Sequence, residues 1–244
     1  ASQLVQLIQE VTKDLDGEDL DADLAATTAP SPAMAAMAQA TSLELPSDRG
    51  PVLTVGGPAS LAAVEVAVGL AAELALRRGT TLVIDVDETT PVLSARLGYR
   101  LEPTVLDAME RVYYGDGDLT ATVTEPTRGS SGFAPMHVLA GVANPDDWAL
   151  LGRDRCVDLL RRACDQWSHV VALSGPWLQS LPQGVDRYGA SQGAVAFGDR
   201  VVGVFDPSPT GVLLGLDWLI EARRLRNGAP VWIVFAGRPR SAVQ

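Results

Sequence analysis

The sequence predicts a three-layer α/β fold: a mostly parallel sheet with helices on both faces. Two observations carry this. Apolar runs of four to six residues recur along the chain, each followed by a turn and a stretch of helical length. These runs are continuously apolar rather than alternating, which is the pattern of strands covered on both faces. A chain of 244 residues with 47% hydrophobic and 20% charged positions has enough apolar side chain for one such core.

The elements follow in order. Leu4, Val5, Leu7, Ile8, Val11 and Leu15 fall at helical spacing, so residues 1–15 read as one amphipathic helix. Residues 16–49 are acidic and rich in Ala, Thr, Pro and Ser, the composition of a flexible linker. The domain proper is expected over 50–244. Val52 to Val55 is the first strand, ending in Gly56-Gly57. Ser60 to Arg78 is a helix closed by Gly79, and Thr81 to Asp85 is the second strand. A helix is expected from Thr104 to Tyr113, then a turn at Gly115-Asp116-Gly117-Asp118 that is too short for a calcium loop. Met136 to Gly141 is the third strand, and Asn144-Pro145-Asp146-Asp147 starts a helix running to about Trp167. Strands at His169 to Leu173, Val201 to Phe205 and Pro230 to Phe235 complete the set, with a helix from about Gly211 to Arg226 before the last.

Composition excludes several function classes. A net charge of −11 argues against nucleic-acid backbones and anionic membrane surfaces as partners. Leu61 to Leu76 is apolar apart from Glu65 and Glu73, which suits a helix against a sheet better than one in lipid, so no membrane insertion is expected. Cys156 and Cys164 share one helix about two turns apart and read as free thiols in a reducing, cytoplasmic setting. With His137 and His169 they have no metal-ligand spacing. His169 and Ser174 lie at opposite ends of one strand, about 16 Å apart, so no nucleophilic triad is indicated.

In such sheets ligands bind at the carboxyl ends of the strands, and the first strand-to-helix turn is the usual phosphate cradle. Here that turn is Gly56-Gly57-Pro58-Ala59-Ser60. A phosphate loop needs glycines for converging amides, a lysine for the β- and γ-phosphates and a hydroxyl for Mg²⁺. The glycines are present, but no Lys or Arg occurs from Val52 to Leu76.

The series as a whole resembles the MinD/ParA family of P-loop ATPases, most nearly its actinobacterial branch. The resemblance spans about residues 51–240. It rests on the Gly-rich turn, the helix ending Leu70-Ala71-Ala72-Glu73-Leu74-Ala75, and Leu82-Val83-Ile84-Asp85-Val86-Asp87. Leu139 to Pro145 with Trp148, Asp206 to Val212 and Gly237-Arg238 extend it.

The resemblance also locates departures. The family's phosphate-loop cation falls at Ala63, its hydroxyls at Val64 and Glu65, and its early signature lysine near Pro58. The strand that should end in a metal-supporting acid reads Ala172-Leu173-Ser174-Gly175, and Ala236 stands near the adenine-side asparagine. Gly56, Gly57, Ser60, Asp85 and Asp87 are what remains as candidate cofactor-binding residues, with no catalytic set and no metal site. The first acid would orient water or metal in the family; either could equally cap a turn.

The implied function is a non-hydrolysing scaffold or regulator in positioning or assembling a cellular machine for division, partition, pilus formation or secretion. Its implied partners are proteins, either a second copy or an active relative. No cofactor is expected, with ATP and Mg²⁺ kept as the alternative of an unconventional phosphate loop. A third reading is an enzyme of another class with Asp85, Asp87, Ser174, Trp177 and Asp206 converging at the strand ends.

Overall fold

A computed structural model of the chain describes residues 50–124, 136–181, 184 and 186–237. The expected amphipathic helix at 1–15 and linker at 16–49 lie outside the described residues.

Six strands form one parallel sheet in the order β3-β2-β4-β1-β5-β6. They are β1 (Val52–Gly56), β2 (Thr81–Asp85), β3 (His137–Leu139), β4 (His169–Leu173), β5 (Arg200–Phe205) and β6 (Trp232–Phe235). Strand β1 pairs with β4 on one side and β5 on the other, with Val55 beside Leu173 and Val202. The chain leaves β1 in one direction to reach β2 and leaves β4 in the other to reach β5. The order therefore reverses at β1 and β4, the switch point at which sheets of this kind bind ligands outside the strand ends.

The helices are α1 (Ser60–Arg78), α2 (Leu93–Leu97), α3 (Val105–Tyr114), α4 (Trp148–Leu151), α5 (Arg153–Gln166), α6 (Gly189–Phe197) and α7 (Pro209–Leu225). Residues Val52, Leu82, Ile84, Val170 and Ala172 meet Val105, Met109, Leu159, Leu160, Ala163 and Ala194 in one buried cluster. This puts α3, α5 and α6 on one face of the sheet. Alternate strand residues point to the opposite face, where α1 lies against β1, β2, β4 and β5. The three-layer α/β expectation holds.

Several boundaries differ from expectation for local reasons. The helix expected to run from Asn144 to Trp167 is broken: Asn144 caps a short 3-10 turn, α4 follows, and Gly152 at φ 62° separates α4 from α5. Strand β3 is three residues long rather than six. Helix α3 begins one residue later than expected because Thr104 is its cap, joined to Asp107 in a reciprocal capping box. Two helices were not expected: α2, a single turn, and α6. Cys156 and Cys164 are buried thiols not joined in a disulfide, as expected. Among the described residues no helix is long and apolar enough to cross a membrane.

Candidate functional site

The turn after β1 lies at this switch point. Gly56 has no room for a side chain, because a Cβ there would come within 2.0 Å of Ser174 Oγ. Gly57 has φ +127°, and its Cβ would meet the Val204 carbonyl oxygen at 2.6 Å and the Val204 nitrogen at 2.8 Å. The turn is therefore pressed onto the backbone of β5, and only glycine fits there. Pro58 carries no N–H. The Ala59 amide donates to the Val204 carbonyl at 3.2 Å, and the Ala63 amide donates back to Ala59 at 2.9 Å. Helix α1 starts at Ser60 with no side-chain cap. Glu65, in the second turn of α1, is exposed and held by the Arg96 guanidinium of α2.

The acids at the end of β2 are buried. Asp85 is fully enclosed, and its carboxylate accepts the amides of Asp87 at 3.1 Å and Leu93 at 3.0 Å. It thereby closes the loop between β2 and α2. Burial first, and then the charge of neighbouring Asp87, push its carboxyl up to about 8. Asp87 accepts the amides and hydroxyls of both Thr89 and Thr90 at 2.6 to 3.1 Å. Its Oδ1 also lies so near Gly175 that a Cβ there would sit 2.7 Å away. Both sequence-indicated acids thus hold turns in this structure.

A third acid, Glu88, was not indicated by the sequence. It is buried at the amino end of α6, where it accepts the Ser191 hydroxyl at 2.5 Å and the Ser191 amide at 3.3 Å. The same hydroxyl accepts the Gly175 amide at 2.7 Å. Glu88 therefore ties the β2 loop to the end of β4 through α6. Its position suits an anion, since a helix start presents free amides and the positive end of its dipole. Burial raises its carboxyl to about 7, against the hydrogen bonds from Ser191.

Of the residues that could have formed another enzyme's site, Ser174 is buried and its Oγ lies 3.5 Å from the Val55 carbonyl. Trp177 and Asp206 are exposed, and Asp206 accepts the Ser208 amide at 2.7 Å just before α7. The structure brings Asp85, Asp87 and Ser174 to one end of the sheet, with Trp177 and Asp206 at its surface. Among the described residues no group of three or more His, Cys, Asp or Glu is placed to hold a metal ion.

Solved structures share this fold. A ParA family ATPase from Chlorobium tepidum superposes over 76% of this chain and 72% of its own, with a TM-score of 0.60 and 14% identity. The cell division ATPase MinD from Pyrococcus furiosus superposes over 75% of this chain and 69% of its own, with a TM-score of 0.53 and 18% identity. The chain has the ParA/MinD fold. The kinase domain of the Escherichia coli tyrosine kinase ETK also aligns, over 86% of this chain and 75% of its own, at a TM-score of 0.56 and 18% identity. No protein-family model and no curated sequence matches the chain. The ParA/MinD fold thus survives here at identities where only the fold is shared.

Proposed function

We propose that this chain uses the ParA/MinD fold without a nucleotide cycle, as a scaffold or regulator in positioning or assembling a cellular machine. The observation that carries the reading is the turn Gly56 to Ser60. It has no cation, Pro58 gives no amide, and the Ala59 amide is engaged by β5. A triphosphate and its Mg²⁺ do not fit such a turn, which offers few donors and no hydroxyl-metal position.

Electrostatics support the same reading. No Lys or Arg occurs from Val52 to Leu76 to neutralise phosphate charge, and the nearby acids Asp85, Asp87 and Glu88 are buried past the end of β2. With neutralisation and metal support both missing, phosphoryl transfer has nothing to stabilise its transition state.

The partners that fit a scaffold are proteins: a second copy of the chain or an active relative of the same fold. The amphipathic segment at 1–15 on its arm at 16–49 would serve as a tether to them. The purified chain with ATP and Mg²⁺ is expected to release phosphate no faster than the mixture without protein. Release that scales with chain concentration and disappears in Asp85→Asn would overturn the proposal.

A further inference from the structure

Helix α7 is apolar on two opposite sides. Gly211, Gly215, Trp218 and Ala222 are buried toward the sheet, where Phe205 packs edge-on to the Trp218 ring at 6.1 Å. At about 100° per residue, Leu213, Leu216 and Ile220 form a ridge on the far side. They are exposed to 65%, 48% and 63%. Among the described residues, the buried clusters at the sheet include none of these three side chains. Together they present on the order of 300 Å² of apolar surface, at the lower end of the largest patches on monomers, which are often functional.

We propose that this ridge is a two-fold interface, with α7 crossing the α7 of a second copy of this chain antiparallel at Ile220. The charges beside the ridge select that occupant. Asp217 lies about 4.5 Å before Ile220 along the helix axis, and Arg224 about 6 Å after it. Both are exposed, and by helical periodicity both stand on the same flank of the ridge, roughly 40° to 60° round from Ile220. A two-fold axis through Ile220 reverses the helix direction and keeps the flank. Asp217 of each copy then meets Arg224 of the other, and the pairing occurs twice. On the opposite flank Leu216 meets the apolar stem of Arg223, which covers it.

The pattern is self-complementary, as an isologous contact requires. The ridge supplies roughly 300 of the roughly 800 Å² that each partner gives to a standard interface, and the flanking charged residues with their apolar stems supply the remainder. The interface is remote in sequence from the turn after β1 and does not depend on whether that turn binds nucleotide.

The test is the sedimentation mass of the full chain without nucleotide, with melting temperatures read alongside. Wild type is expected at twice 25.7 kDa. Ile220→Glu is expected at the single-chain mass with an unchanged monomer fold, because Ile220 is exposed. Asp217→Arg sets Arg against Arg twice and is expected to weaken association at least about tenfold. The double exchange Asp217→Arg with Arg224→Asp is expected to restore it. Arg224 also pairs with Glu221 at 2.8 Å, so the melt of the double variant confirms that it is folded. A wild type that stays monomeric at 100 µM overturns the proposal. So does a dimer that survives Ile220→Glu, or an association lost in Asp217→Arg and not recovered by the double exchange.

Discussion

Gly57→Ala is expected to lower the melting temperature by about 10 °C, or roughly 3 kcal/mol for a domain of this size. Two costs combine. At φ +127° a side chain is strained whatever space surrounds it, and such backbone strain costs about 1 to 3 kcal/mol. The added Cβ also meets backbone atoms of Val204 at 2.6 and 2.8 Å, so β5 itself has to move. Gly98 supplies the control. Its φ is +71° with nothing within 4 Å, so Gly98→Ala bears the strain alone and is expected to cost about 1 kcal/mol. Circular dichroism melts of the two variants decide the matter. Equal losses would mean that the turn after β1 is not wedged against β5, and that its amides remain available to a ligand.

Stability is expected to fall as pH rises through neutrality, because two carboxyls are buried where ionisation is opposed. Asp85 is raised to about 8 and Glu88 to about 7, both above their values in an unfolded chain. The sign follows directly: the folded state holds these protons over a range in which the unfolded state has released them. Their stabilisation is complete below about pH 4 and is lost progressively up to the folded values, at about 1.4 kcal/mol per pH unit for each group. Other carboxylates titrate in the opposite sense, so the informative quantity is the difference between wild type and Glu88→Gln. Relative to wild type, that variant is expected to gain about 3 kcal/mol between pH 4.5 and pH 7 and nothing further above. Denaturant unfolding at half-unit pH steps measures this. A difference independent of pH would show that Glu88 is ionised throughout and acts as a fixed anion at the start of α6.

How far the sequence foretells this structure differs from element to element. Helix α1 is readable to the residue, because an Ala- and Leu-rich run ends in Arg77-Arg78-Gly79. The buried strands are equally plain, since parallel pairing leaves both faces covered and the apolar runs unbroken. Helix α6 is not readable. Its sequence Gly-Ala-Ser-Gln-Gly-Ala-Val-Ala-Phe is buried over most of its length, so it shows no amphipathic period, and its two glycines weaken any propensity. Packing against α5 supplies what the local sequence lacks.

The site divides in the same way. The glycines and the missing cation are visible at Gly56 to Ser60, and so are Asp85 and Asp87 as strand-end acids. The contacts that make Asp85 and Asp87 turn-holders are local but unmarked in the sequence, and those of Gly57 and Glu88 are long-range. Glu88 meets Ser191 across 103 positions, and the turn at Gly57 rests on a backbone carbonyl of Val204. A backbone contact leaves no side-chain signature, and a glutamate three residues past a strand looks like any surface acid until α6 is placed above it.

The central claim is that the turn from Gly56 to Ser60 no longer holds a phosphate. Calorimetric titration of the purified chain with ATP and Mg²⁺ tests it most directly, without relying on turnover. No saturable heat is expected up to millimolar nucleotide. Saturable binding of one ATP per chain at micromolar affinity, about 8 kcal/mol of binding free energy, would contradict the account.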